Sequence, residues 1–278
     1  MKKSFVSAAA LVASGLAIGL ATPALAQDEA PPKDITISGS ATIVSDYRFR
    51  GVSQSNENMA FQPGITFTHK SGFYAGAWGS NLAGWGTFGG SNTELDLIAG
   101  YKRPLGGGVS VDVGLTWYMY PGGADKTDFA EPYVKVSGTV GPASLLVGVA
   151  YAPPQEALGN WSNTPESAIG DTEDNFYVWG DVSAGIPKTP VTLKAHLGYS
   201  KGNPGLGPNG TSVAPTGSYI DYMVGADVTF APLTLGISFV GTDIGAAKSA
   251  YLQPNFSNTK DGSSIASGKV LFSATAAF

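Results

Sequence analysis

Residues 35–50 read ITISGSATIVSDYRFR, and this stretch decides the fold class. From Ile35 to Phe49 every second residue is mostly apolar or small, whereas the intervening residues are mostly hydroxyl-bearing or charged. An alternation with a period of two is typical of a β-strand with one apolar and one polar face. We therefore predict a single strand over 35–50, with Tyr47 and Phe49 on the apolar face and Arg48 and Arg50 on the polar face.

The same alternation recurs along the rest of the chain. It is clearest in 109–120, 190–200 and 218–230, and weaker in 59–70, 93–103, 129–140, 143–151, 173–186 and 233–241. The stretch 72–80 is rich in glycine, so its sequence does not indicate which residues belong to which strand face. With the C-terminal stretch, the pattern predicts about twelve strands near the ~9–11 residues that a tilted membrane strand needs.

Short and long connections alternate between these stretches. The short ones are turns at 69–72, 103–108, 141–142, 187–190 and 231–232, and the long polar ones are 50–58, 81–92, 121–128, 152–172, 201–217 and 242–265. Outer-membrane barrels combine short periplasmic turns with long extracellular loops on an even number of strands. The sequence therefore predicts an all-β fold, a closed antiparallel transmembrane β-barrel.

Both ends of the chain indicate export to a bacterial outer membrane. Lys2 and Lys3, an apolar run and the small-residue pattern before Gln27 predict a signal peptide over 1–26. We expect a flexible lead over 27–34 and the barrel over 35–278. The last strand ends in Phe278, and from this we expect recognition by the barrel-assembly machinery and contact with outer-membrane lipid.

Composition excludes several classes of function. Losing Lys2 and Lys3 with the signal peptide lowers the Lys and Arg count from 16 to 14 against 21 Asp and Glu, a net charge of −7. Such an acidic chain lacks the basic surface that nucleic acid requires. There are no cysteines, and the two histidines, His69 and His196, lie far apart in sequence. We therefore predict no nucleic-acid partner, no metal and no cofactor.

Two stretches carry a resemblance to a known family. Residues 46–55 read DYRFRGVSQS and residues 73–81 read FYAGAWGSN. They resemble the opening of the TorF-type porins, a proteobacterial outer-membrane family formerly described as of unknown function. The similarity is densest over 36–101 and extends thinly to the C-terminus. It implies an outer-membrane barrel of the porin kind, without an established substrate.

Charged residues on the polar strand faces are the candidate pore lining. They are Arg48, Glu94, Asp96, Lys135, Asp181, His196 and Asp221. Arg48 with Arg50 could attract anions at the pore mouth or form structural ion pairs with lumen carboxylates. Glu94 and Asp96 could line the pore or pair with Arg48 and Lys135. Lys135, Asp181 and His196 could form a constriction or a salt-bridged plug.

We predict a channel for passive diffusion of small polar solutes, and no enzymatic activity. The alternative is a non-conducting structural or adhesive barrel, whose lumen would be filled by large interlocked charges instead of hydroxyls and glycine. An outer-membrane lipid hydrolase is less favoured because no strand places a serine beside His196, as nucleophilic catalysis would require.

Overall fold

A computed structural model describes residues 34–159, 170–204 and 213–278. The predicted signal peptide and the lead up to Lys33 lie outside the described residues. Short helical turns occur in the long connections: 3₁₀ turns at Gly84–Gly86, Phe88–Gly90, Glu156–Leu158 and Ala250–Leu252, and helix α1 at Ala246–Ser249. In the described part of the chain, no helix is long and apolar enough to cross a membrane.

Twelve antiparallel strands form a closed barrel in which each strand pairs with its neighbours along the chain, and the last strand returns to the first. The wall strands are β1 (Ile35–Val44), β4 (Ala60–His69), β5 (Phe73–Asn81), β6 (Thr93–Gly106), β7 (Val109–Met119), β8 (Phe129–Val140), β9 (Ala143–Gln155), β10 (Glu173–Gly185), β11 (Val191–Gly202), β12 (Ser218–Phe230), β13 (Leu233–Thr242) and β14 (Lys269–Ala277). Two further strands, β2 (Arg48–Phe49) and β3 (Val52–Ser53), form a separate hairpin. The predicted fold class and strand number are confirmed.

The terminal residue closes the seam between β1 and β14. The amide of Phe278 donates to the carbonyl of Gly39, and the amide of Gly39 donates to the carbonyl of Phe278, both at 3.0 Å. A side chain at position 39 would overlap the Phe278 ring, so the ring in this position is accommodated by the glycine. The end of the chain is therefore part of the wall.

Strand faces follow the predicted alternation. Outward residues such as Val113, Leu197 and Phe272 are exposed, whereas inward residues such as His196 and Asp221 are buried. The closed barrel satisfies its backbone within the sheet, and apolar side chains cover its outside, as in barrels that span a membrane. The glycine-rich stretch that gave no face assignment is β5, with Trp78 opposite Gly64 on β4.

The predicted strand over 35–50 is wrong beyond Val44, where β1 ends. Val44 pairs with Ala60, the first residue of β4, so no strand remains on that side to continue the ladder. The chain turns into the barrel instead, and Tyr47 and Phe49, predicted outward, are buried inside it. Residues 45–59 are called the inserted segment below.

A tight hairpin shapes the inserted segment. Arg50 has φ 47° and Gly51 has φ 80°, so two consecutive residues between β2 and β3 adopt left-handed backbone. This is the pattern of the two-residue turns that connect hairpin strands, and it normally disfavours a bulky residue such as arginine. Contacts of the Arg50 side chain must therefore offset the strain of its backbone.

Candidate functional site

Small hydroxyl groups line one side of the lumen, on the adjacent strands β13, β14, β1 and β4. They are half-buried and comprise Ser38, Ser40, Thr42, Thr68, Thr234, Ser238, Ser273 and Thr275. Thr42 and Thr275 hydrogen-bond across the seam at 2.9 Å. Of these four described strands, only β14 presents a charge inward, at Lys269. This surface is called the hydroxyl wall.

Charged and aromatic side chains fill the opposite side, on β6 to β12, where they meet the inserted segment. The Nη2 atom of Arg50 donates to both carboxylate oxygens of Glu131 on β8, each at 2.7 Å. The Arg50 guanidinium also lies 4.0 Å from the centre of the Tyr177 ring on β10. Both side chains of the ion pair are nearly inaccessible, at 3% and 5% exposure. Arg50 thus anchors the inserted segment to two wall strands.

Arg48 is paired mainly within the inserted segment. Its guanidinium contacts Asp46 at 2.7 Å and Glu57 at 3.2 Å, and it donates to the carbonyl of Ser267 at 2.7 Å. Glu57 also pairs with Lys269 at 2.7 Å. These contacts match a structural ion pair, but the carboxylates belong to the segment and not to wall strands, so Arg48 stands on β2 and not on β1 as predicted.

For Glu94 and Asp96 on β6, the structure does not show the ion pairs with Arg48 and Lys135 that were one of the two alternatives. Glu94 accepts a hydrogen bond from the Tyr47 hydroxyl at 3.0 Å. Among the described residues neither carboxylate forms an ion pair with Arg48 or Lys135. Asp96 is fully buried, and neither of its carboxylate oxygens has a hydrogen-bond partner in the part of the chain that the structure describes.

His196 on β11 is held between two carboxylates. Its Nδ1 atom lies 2.6 Å from Asp181 on β10, and its Nε2 atom lies 2.9 Å from Asp221 on β12. The Tyr177 hydroxyl approaches the same Nε2 atom at 2.9 Å. Three of the predicted pore residues are therefore brought together in one buried network.

Lys135 is separate from this network. Its ammonium lies 3.8 Å from the centre of the Tyr133 ring on the same strand, and its side chain is half-buried. Asp112 stands opposite Lys135 in the β7–β8 register, but the Asp112 carboxylate accepts from Tyr74 at 2.7 Å. The predicted grouping of Lys135 with Asp181 and His196 is thus divided between two places, and pore lining stays a prediction for all seven residues.

Sequence reasoning missed two residues that organise the lumen, Glu131 and Tyr47. Glu131 shares the inward face of β8 with Lys135, so the alternation over 129–140 was sufficient to identify it. Tyr47 could not be identified this way, because its inward position depends on the end of β1.

The long connections form a packed apolar cap beside the inserted segment. Trp85 and Phe256 meet edge to face with ring centres 4.8 Å apart. Val52 of the inserted segment, Leu252 and Ile265 are buried in the same cluster. At this end of the barrel the described loop residues therefore pack against the inserted segment.

Twelve antiparallel strands closed around a charged lumen, with an apolar outer surface, define a porin-like β-barrel. Within that class, the chain belongs to the family described as "Bacterial protein of unknown function (Gcw_chp)", which matches residues 27–278. The TorF-type name is not confirmed by this match. No protein with a curated description matches the sequence.

Solved porin structures share the fold, and the NanC and KdgM porins are two of them. The NanC porin, in a rhombohedral crystal form, superposes with a TM-score of 0.54 at 10% identity, covering 87% of this chain and 98% of that one. The KdgM porin, in complex with disordered oligogalacturonate, gives a TM-score of 0.50 at 10% identity, with the same two coverages of 87% and 98%. At this identity the similarity concerns the fold alone.

Proposed function

We propose that the protein is an outer-membrane channel through which small polar solutes diffuse passively along the hydroxyl wall, beside the inserted segment. The observation that carries the proposal is the contrast in burial across the lumen. The hydroxyl wall is half-buried and hence reached by solvent, whereas residues 46–53 of the inserted segment are buried throughout. Water-lined passages filter solutes by width and by the field of the charges that line them.

The proposed location is the bacterial outer membrane. It is supported by the apolar outer face, by the predicted signal peptide and by a family match that begins at residue 27. The resemblance to TorF-type porins agrees with this proposal. The proposed partners are outer-membrane lipid, the assembly machinery that would recognise the strand ending in Phe278, and small polar solutes.

A non-conducting barrel is the second candidate, and the inserted segment favours it. The Arg50–Glu131 pair and the His196 network are large interlocked charges, which a filled lumen would contain. A lipid hydrolase receives no such support. Both ring nitrogens of His196 face carboxylates, and the only hydroxyl contacting them among the described residues belongs to Tyr177.

Single cysteines can separate the two candidates, because the chain has none of its own. Ser273→Cys places a thiol on the hydroxyl wall, and Ala274→Cys places a thiol of the same size on the outer face of the same strand. We expect the unmodified proteins to conduct in planar bilayers. A charged, water-soluble methanethiosulfonate reagent should reduce the conductance of Ser273→Cys only.

Two results would contradict this proposal. Absence of conductance in the wild-type protein would favour the filled barrel. Conductance that responds equally in the two variants would place the passage away from the hydroxyl wall.

A further inference from the structure

Trp78 on β5 is an inward tryptophan at the edge of the hydroxyl wall. It stands opposite Gly64 on β4, and Gly64 stands opposite Ser40 on β1. A Cβ atom at Gly64 would lie 3.3 Å from Cδ1 of the indole and 3.9 Å from Oγ of Ser40. The glycine therefore leaves a gap in the inward face of β4, across which the indole approaches a hydroxyl of the wall.

Solvent reaches this part of the lumen. Trp78, Ser40 and Gln62 are half-buried, and because their side chains point inward, the exposed part of each lies inside the barrel. Tyr47 of the inserted segment also contacts the indole, with ring centres 5.5 Å apart. The indole and the neighbouring polar side chains therefore border the proposed passage.

Polar groups around Trp78 can form further hydrogen bonds. The hydroxyls of Ser38 and Ser40 form none with another described residue. Thr66 stands opposite Ser38, and its buried hydroxyl has no partner in the part of the chain that the structure describes. The side chain of Gln62 donates to Ser80 at 3.4 Å, which leaves its carbonyl oxygen as an acceptor. Hydroxyls both donate and accept, so these groups can replace water around a hydroxylated solute.

Charge is sparse on this side of the lumen. On the described strands of the hydroxyl wall the inward charge is Lys269, whose ammonium is already paired with Glu57 at 2.7 Å. The residue opposite Trp78 on β6 is Asp96, and Glu94 lies two positions before it. Neither the described wall strands nor this part of β6 presents an unpaired cation to an anionic solute.

A sugar ring has apolar C–H faces and hydroxyl groups around its edge. The face of an aromatic ring carries partial negative charge and attracts C–H groups, and ligand sites combine such rings with a few placed polar groups. We propose that Trp78, together with Ser38, Ser40 and Gln62, forms a binding site for neutral sugars. This inference rests on the proposed channel and names the class of solute that passes through it.

The test is planar-bilayer recording in KCl with glucose added. A sugar bound in the passage excludes ions, so the current should fall to a saturating level as the glucose concentration rises. Polyethylene glycol of similar size, which lacks ring hydroxyls, should lower the current without saturation. Trp78→Ala should raise the glucose concentration for half-maximal block by about two- to tenfold. Trp117→Ala, which removes an exposed indole from the outer face of β7, should behave as the wild type.

A second pair of variants tests the hydroxyls without removing a large side chain, in case Trp78→Ala fails to fold. Ser40→Ala should raise the half-maximal glucose concentration by about two- to fivefold. Ala41→Ser, which adds a hydroxyl on the opposite face of the same strand, should leave it unchanged. Glucuronate at constant ionic strength should block less than glucose, because it is an acidic sugar of nearly the same shape.

The outcomes separate this site from the channel itself. Absence of conductance in the wild-type protein would reject the channel and the sugar site together. Conductance without a saturable block by glucose, or a block that Trp78→Ala and Ser40→Ala both leave unchanged, would overturn the sugar site while the channel stands. A block by glucuronate as strong as that by glucose would overturn the preference for neutral sugars.

Discussion

The hydroxyl wall and the inserted segment share one lumen, yet they are built in opposite ways. The wall consists of short side chains on regular strands, and solvent reaches it. The inserted segment leaves the sheet at Val44 and is held by buried ion pairs and aromatic contacts. A barrel of this size has a narrow interior, so the width of any passage depends on how far the segment extends toward the wall.

The contrast shows that the position at which one strand ends can determine which residues fill the lumen. Where strands pair along their full length, alternation fixes what points inward. Where β1 stops early, the chain itself enters the barrel and brings Tyr47, Arg48 and Arg50 with it. Four predictions test the contrast, beginning with the largest expected effect.

Releasing the inserted segment should have the largest effect. Arg50→Ala leaves Glu131 as an unpaired buried charge, which should reduce the free energy of unfolding by ~3–5 kcal/mol. Urea unfolding in detergent measures the loss, and planar-bilayer recording should show a larger conductance. Lys248→Ala, which breaks an exposed pair with Asp243, should change stability by about 1 kcal/mol or less.

Arg50→Ala both releases the inserted segment and leaves a buried unpaired charge, and the double variant Arg50→Met/Glu131→Leu separates these two consequences. It removes the ionic anchor without leaving a buried charge, so stability should recover while the conductance stays high. A wild-type conductance in both variants would show that other contacts hold the segment in place.

On the outer face of the barrel, the effect of a substitution on stability should depend on contact with lipid and not on which side of the lumen lies behind it. Leu197 lies in the middle of β11 and is 60% exposed. Leu197→Arg should therefore cost ~2–4 kcal/mol, as for a charge facing lipid near the membrane centre. Refolding into lipid vesicles followed by urea unfolding measures it. Leu197→Ala, the matched control, should cost much less, and equal losses would contradict a lipid-facing position.

A large side chain should destabilise the two sides of the lumen to different extents. Thr116 on β7 is buried on the charged side, whereas Thr234 belongs to the half-buried hydroxyl wall. Thr116→Arg should lower the unfolding free energy by ~1–3 kcal/mol through overpacking, and Thr234→Arg by about 0.5 kcal/mol or less. The same urea assay compares them. A larger loss at Thr234 would mean that the wall faces a filled space.

Charge selectivity should show the smallest effect. Lys135→Glu reverses one half-buried lumen charge, which at ~8 Å from an ion in water changes the interaction by about 1 kcal/mol before salt screening. Screening reduces this to about a two- to threefold shift toward cations, measurable as a reversal potential in a KCl gradient. Lys188→Glu in a short turn is the matched control, and a similar shift there would remove Lys135 from the pore.

Much of the fold could be predicted because alternation is a local property. In 190–200 and 218–230 the inward positions of His196 and Asp221 follow from the alternation alone, and the structure places them inside. The contact of His196 with Asp181 and Asp221 could not be predicted. It depends on the register between β10, β11 and β12, which alternation leaves free to shift by two residues without exchanging faces.

By itself, the sequence determined the closed barrel, a number of about twelve strands and, in the strands that alternate clearly, which residues point outward, since each such strand alternates between an apolar and a polar face. Only the tertiary structure decided where β1 ends and what occupies the lumen. Val44 lacks a partner beyond Ala60 because of the register between β1 and β4. The pairing of Arg50 with Glu131, 81 residues later, exists because the closed sheet brings β8 within reach of the inserted segment. Such contacts depend on the closure of the barrel, which brings distant strands together and cannot be inferred from a local sequence pattern.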